Sequence, residues 1–81
     1  MDEPVEIDAR GHGCPVPALR LRRALEGLEA GQRVILIADD PMARVDVPHF
    51  AAQAGHVLVE TRSEGAALVF TVEKRAAPTT G

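Results

Sequence analysis

The sequence predicts an α/β chain of the two-layer α+β sandwich class, a four-stranded mixed sheet with two helices on one face. Three observations lead there. The run Val34-Ile35-Leu36-Ile37 is continuously aliphatic, as suits an interior strand. Segments on either side of it place apolar residues three and four apart, the helical spacing. Two further segments alternate around Ser63-Glu64-Gly65, a turn sequence. The resulting order is βαβαββ, and a right-handed crossover sets the first two strands parallel with the first helix packed on the sheet.

Each element has its own signal. Val5 to Asp8 reads as a short first strand, broken by Gly11, Gly13 and two prolines. From Pro15 to Ala30 the pattern is helical, with Ala18, Leu21, Ala24, Leu25 and Leu28 on one face. Pro15 and Pro17 fit its first turn, where backbone N–H groups lack intrahelical acceptors anyway. Gly31 is the expected C-cap. Arg33 to Ala38 forms the central strand, expected to be buried on both faces. Asp39-Asp40-Pro41 stops it, and Asp40 can cap a short turn. A second helix is expected from about Asp46, with Val47, Phe50, Ala51 and Ala54 inward, Pro48 in its first turn and Gly55 at its end. His56 to Arg62 and Ala66 to Lys74 complete the sheet as a hairpin. Residues 1–75 are read as one domain and 76–81 as a flexible C-terminal tail.

Composition narrows the function classes. The chain has 81 residues, 46% of them apolar, with two Phe and neither Trp nor Tyr, so the core must be aliphatic. A domain this small buries a modest share of its surface and is expected to be marginally stable. Its one Cys allows no internal disulfide and no cysteine-based zinc site. His12, His49 and His56 are not at ligand spacing, so no metal site and no bound cofactor are expected. There is no basic-then-apolar leader and no apolar run near the roughly 18 residues that span a bilayer. A free thiol without an export signal suggests the reducing cytoplasm and no membrane association. A net charge of −3 argues against strong direct nucleic-acid binding. Nothing demands a dimer, and a monomer is expected.

The chemistry concentrates on that one cysteine, in Asp8-x-x-Gly11-x-x-Cys14-Pro15-x-Pro17. A thiol at a helix start lies near unpaired N–H groups and the positive end of the macrodipole. Both favour thiolate and lower the pKa from the free value of about 8.5. Arg10 adds positive charge nearby, and Gly11 and Gly13 keep the surroundings open. A buried Cys acting as a small hydrophobe is the alternative, but a loop between glycines and prolines is a poor core position. Cys14 is therefore read as reactive.

The Asp-x-x-Gly-x-x-Cys-Pro-x-Pro stretch, the strand ending in Ala38-Asp39-Asp40-Pro41, and Asp46-Val47-Pro48-x-Phe50 followed by Gly55-His56 together resemble the TusA/SirA family of small sulfur carriers. The resemblance runs from about Ile7 to the last strand, with its motifs in the family's order and spacing. It implies a βαβαββ two-layer fold. It also implies a cysteine that takes sulfane sulfur as a persulfide from a cysteine desulfurase or rhodanese. An acceptor protein, DsrE-like or TusBCD-like, would then receive it. The destinations implied are tRNA thiolation, molybdenum cofactor synthesis or sulfur oxidation, through sulfurtransferase-type chemistry rather than stand-alone turnover. A lone cysteine suits this, since a second thiol in the chain would discharge the persulfide as a disulfide.

Asp8, Gly11, His12, Gly13, Pro15, Pro17 and Asp40 are the supporting positions around Cys14. His12 and Gly13 depart from the family's usual residues before the cysteine. His12 is either a solvated loop histidine or an aid to deprotonation, its ordinary pKa lying near neutrality. Asp40 either caps its turn or shapes the site. Leu19, opposite the apolar stripe of the first helix, with Arg10, Arg22 and Arg23, reads as a docking patch for an acidic partner. The rival reading is a non-catalytic regulatory or interaction module on the same fold. It predicts function without Cys14.

Overall fold

A computed structural model describes residues 4–13 and 16–75. The elements are β1 (Val5–Asp8), α1 (Val16–Glu26), β2 (Arg33–Ala38), α2 (Ala43–Ala54), β3 (Val57–Glu64) and β4 (Ala67–Glu73). The expected βαβαββ order is present. The four strands form one mixed sheet in the order β1-β2-β4-β3, with β1 parallel to β2 and both β2 and β3 antiparallel to β4.

Alternation along the strands selects the covered face. Val34, Leu36 and Ala38 of β2 and Leu68, Phe70 and Val72 of β4 point to one side and are buried there. Leu21 and Leu25 of α1 and Ala43, Val47 and Ala51 of α2 close over them to form the core. Burying Leu or Phe side chains of this kind stabilises the fold by roughly 1.5–3 kcal/mol each. On the opposite face Ile35 and Ile37 are half-buried. This corrects the expectation that β2 is covered on both sides. Both helices share one face, so the long aliphatic run reflects its position between two strands more than a second covering layer.

α1 ends earlier and α2 begins earlier than expected. α1 runs Val16–Glu26 and stops short of Ala30. Gly27 and Leu28 donate to Ala24 and Leu25 (3.2 and 3.1 Å), the tightened bonds of a closing turn, and the Lys74 Nζ also donates to the Leu25 carbonyl. Gly31 is not the cap; its N–H bonds the Lys74 carbonyl at 2.8 Å, tying the loop to the end of β4. α2 begins at Ala43 rather than near Asp46, so Pro48 lies inside it instead of in its first turn. The Asp40 turn runs straight into the helix: Ala43 N–H donates to the Asp40 carbonyl and Asp46 N–H to that of Met42. Pro48 leaves the Arg44 carbonyl without its usual i+4 donor. Gly55 ends α2 as expected, left-handed at φ 80°, its N–H turned to the carbonyls of Ala51 and Ala52.

The hairpin is tighter than expected. Ser63 and Glu64 remain in β3, Glu64 pairs with Ala67, and the turn is Gly65-Ala66. A bulge between Leu58 and Glu60 shifts the register of β3, an edge strand.

Candidate functional site

Both parallel strands end at the same edge of the sheet, and the segments that follow them meet there. The first is the 9–13 loop leading into α1. Ala9 is fully buried and continues the ladder, its N–H donating to the Ile37 carbonyl at 2.8 Å. Asp8 and Arg10 then form a two-point pair: Arg10 Nε to Oδ1 at 2.9 Å and Nη2 to Oδ2 at 2.7 Å. The Arg10 backbone N–H adds a third bond to Oδ1 at 3.1 Å. These hydrogen bonds hold the Asp8 carboxyl well below the usual carboxylate range, and the same pairing raises Arg10. Arg20 reaches back from α1, Nη1 donating to the Asp8 carbonyl at 3.0 Å.

Gly11 turns the loop at φ 85°, a conformation that disfavours any side chain. Its N–H is received by both oxygens of Asp39, at 3.0 and 3.1 Å, from 28 residues away. Asp40 serves the other side. Its Oδ1 accepts the Met42 N–H at 3.1 Å, and its Oδ2 lies 3.7 Å from where a Cβ on Gly13 would stand. Gly13 in turn accepts the Val16 N–H at 3.0 Å as α1 begins. The adjacent aspartates thus divide the work: one grips the loop at Gly11, the other holds the first turn of α2 beside Gly13.

Cys14 and Pro15 lie outside the described residues. Of the remaining positions singled out from sequence, Asp8, Gly11, Gly13 and Asp40 come together in this loop cluster. His12 is exposed, its backbone N–H on the Ala9 carbonyl at 3.3 Å. Pro17 is buried in the first turn of α1. Leu19 is 54% exposed on the outer face of α1. Arg22 pairs with Glu26 one turn on, at 3.5 Å, and Arg23 is exposed beside them. Arg10 is committed to Asp8, so its guanidinium first serves the loop. Among the described residues no group of three or more His, Cys, Asp or Glu is placed to hold a metal ion.

Two hollows of about 270 Å³ flank the cluster. One lies between α2 and the hairpin, with Asp39, Pro41, Arg44, Ser63 and Leu68 in its wall. The other lies between β1 and α1, lined by Ile7, Arg20, Arg23 and Ala24. No signal in the sequence marks Asp39 as a grip or Arg20 as a clasp, or singles out Met42, Arg44 and Val45. A start expected near Asp46 rather than at Ala43 leaves these α2 residues out of the helix. With Ala43, Val47 and Ala51 inward, Val45 falls on the outer side of the first turn.

The described helices include none long and apolar enough to cross a membrane. Residues 5–74 match the family model described as "Sulfurtransferase TusA". The chain is 39% identical over 69 residues to the sulfur carrier protein TusA of Allochromatium vinosum, covering 85% of this chain and 91% of that one. It is 37% identical over 68 residues to a putative sulfur carrier protein, YrkI, of Bacillus subtilis, covering 84% and 91%. The crystal structure of a SirA-like protein from Desulfitobacterium hafniense superposes with a TM-score of 0.77 at 28% identity, over 89% of this chain and 99% of that one. With the fold, the motif loop and these relatives in agreement, the chain belongs to the TusA family of sulfur carriers.

Proposed function

We propose that Cys14 accepts sulfane sulfur as a persulfide and passes it to a second protein. The supporting observation is the loop in which the chain's one cysteine lies. Gly11, on its N-terminal side, is held by the Asp39 carboxylate from the end of β2, and the Asp40 carboxylate lies beside Gly13. Such anchoring pre-positions the segment carrying a nucleophile while leaving it open to a large partner.

The exchange needs no outside oxidant. The Cys14 thiolate attacks the outer sulfur of a donor persulfide, R–S–SH. The donor's S–S bond breaks, R–S⁻ leaves with the electron pair, and Cys14–S–SH forms with the terminal proton retained. The acceptor's thiolate then attacks the same outer sulfur, and the Cys14 thiolate departs. A cysteine desulfurase or a rhodanese supplies the first persulfide, and an acceptor protein of the DsrE-like or TusBCD-like kind receives the second. Thiolation of tRNA, molybdenum cofactor synthesis and sulfur oxidation are the pathways such a relay serves. The cytoplasm is the compartment proposed.

Intact-protein mass spectrometry tests this directly. Incubation with a desulfurase and cysteine, or a rhodanese and thiosulfate, should add one sulfur mass at Cys14, removable by reductant and absent from Cys14→Ser. No added sulfur across a panel of such donors refutes the proposal.

A further inference from the structure

Both helices cover one face of the sheet, and the face turned away from them has an apolar centre. The strand register sets that open face out row by row. Glu6, Ile35, Thr71 and Glu60 stand side by side across β1, β2, β4 and β3, and Asp8, Ile37, Val69 and Arg62 form the next row. Side chains matched across a row point to the same side of the sheet. Ile35, Ile37 and Thr71 are half-buried and Val69 is buried, although neither helix lies over them. A sheet face that meets water ordinarily carries polar residues at such alternate positions. Here adjacent rows of the two central strands make one continuous apolar patch.

The border of the patch has a sign. Its arginines are already paired: Arg10 with Asp8 at 2.7 Å, Arg62 with Glu64 at 2.7 Å, and Arg33 and Arg75 with the two oxygens of Glu73 at 3.3 and 3.5 Å. The bordering carboxylates left without an ion pair or hydrogen bond among the described residues are Glu6 and Glu60. Arg10 feels the Glu6 charge through space, but its guanidinium is spent on Asp8. Glu6 and Glu60 lie in the same row, one at each end of Ile35 and Thr71. Three strand spacings, about 14 Å, separate them. An α-helix, roughly 10–12 Å across, fits between them along β2 and β4.

We infer that this open face seats an amphipathic helix of another protein, its apolar stripe over Ile35, Ile37 and Val69 and its flanks lined with lysine or arginine. One flank reaches Glu6 and the other Glu60. Long basic side chains suit those positions, since their stems lie along apolar surface while their charged ends reach outward. Apolar burial holds the helix, and the two carboxylates select its charge and reject acidic flanks. A second copy of this face is the poorer occupant: it brings the same unpaired carboxylates, while its arginines are already paired. The bound helix adds a third layer to the sheet and leaves the side bearing α1 and α2 free. The inference stands independently of the carrier function.

NMR titration of the isotope-labelled chain provides the test. The probes are two synthetic helical peptides that share a leucine stripe, one flanked by lysines and the other by glutamates. The lysine peptide should shift the methyl signals of Ile35, Ile37 and Val69 and leave that of Leu19, on the outer face of α1, in place. The glutamate peptide should bind about tenfold more weakly or not at all. Glu6→Lys combined with Glu60→Lys, both at exposed positions, should weaken the lysine peptide about tenfold with the circular dichroism spectrum unaltered. Ile35→Thr, which keeps a β-branched side chain in the strand, should weaken it several-fold. No binding, shifts confined to the helical side, or equal affinity for the two peptides overturns the inference. So does a dimer of the free chain in sedimentation that Ile35→Thr disperses, since the face would then belong to a second copy.

Discussion

Asp39 receives the Gly11 N–H on both carboxylate oxygens, joining the end of β2 to the loop that leads into α1. The bond is charge-assisted and spans the two halves of the site, so its removal should loosen the loop more than it loosens the core. Asp39→Ala is expected to cost about 1.5 kcal/mol in urea denaturation, since a hydrogen bond to a charged group at an exposed position lies at the low end of its range. It should also change the rate at which iodoacetamide alkylates Cys14. Asp39→Asn keeps an acceptor oxygen and should recover most of both effects. Equal behaviour of the Ala and Asn variants would count against the grip.

Gly11 and Gly13 should respond differently to the same substitution. An added Cβ on Gly11 meets nothing within 4 Å, but the residue sits at φ 85°. Gly11→Ala is therefore expected to cost about 1–2 kcal/mol through backbone conformation alone. At Gly13 the Cβ would make an ordinary 3.7 Å contact with Asp40. Gly13→Ala should leave the denaturation midpoint nearly unchanged, so any slowing of Cys14 alkylation would report crowding of the loop. Equal destabilisation by the two variants would contradict this.

His56 should make stability depend on pH in the neutral range. Its Nδ1 accepts the Arg75 N–H at 3.1 Å, and burial, then the charge of Lys74, lowers its pKa from the ordinary 6.5. The unfolded chain then binds the proton more readily than the folded one. Stability from this residue is complete above about 6.5 and is lost as pH falls through that value towards the lower folded one. The urea midpoint of the wild type should fall between pH 7.5 and 5.5, and His56→Gln should show a smaller fall. Asp8, whose carboxyl is lowered, acts in a separate acid window: its contribution is present above the ordinary carboxylate pKa and lost as pH falls through the folded value. Identical slopes for wild type and His56→Gln across the neutral range would remove the histidine from the account.

Phe70 is the largest fully buried side chain, on β4 opposite Leu36 of β2 and Thr61 of β3. Phe70→Ala removes the one fully buried aromatic ring among the described residues, at an expected cost of about 3–5 kcal/mol. That approaches the whole stability of a small domain. Loss of amide-proton dispersion in the NMR spectrum would reveal the unfolding; a native-like spectrum with an unchanged melting temperature would contradict it.

Much of the fold was legible because local signals agreed. The Val34–Ile37 run, the spacing of Leu21 and Leu25, and Gly55 after α2 each point to the element observed. Pro48 misled because proline is costly inside a helix. Placing it in the first turn displaced the start of α2 and hid Val45 and Met42. The motif loop announced itself through its glycines, prolines and cysteine. Its anchorage did not, since Asp39 meets Gly11 only after β1 and β2 pair in parallel. Nothing along the chain tells that Asp39 grips the loop while Asp40 accepts the Met42 N–H in the turn before α2. The pairing of Asp8 with Arg10 was hidden for a different reason. Two residues apart, the side chains are brought together by the turn that ends β1.

Because β4 is inserted between β2 and β3, a strand synthesised after both of them completes the middle of the sheet. Arg33 must wait for Glu73, its partner 40 residues further on, before β2 gains its second neighbour. Until then β2 and β3 present bare edges, and pairing at such long range sets a slow step in folding. A nascent chain halted before Ala67 should therefore remain open to proteases and chaperones. The cysteine emerges before β2, β3 and β4, but its loop gains a completed scaffold only when β4, the most distant of these strands in sequence, has been made.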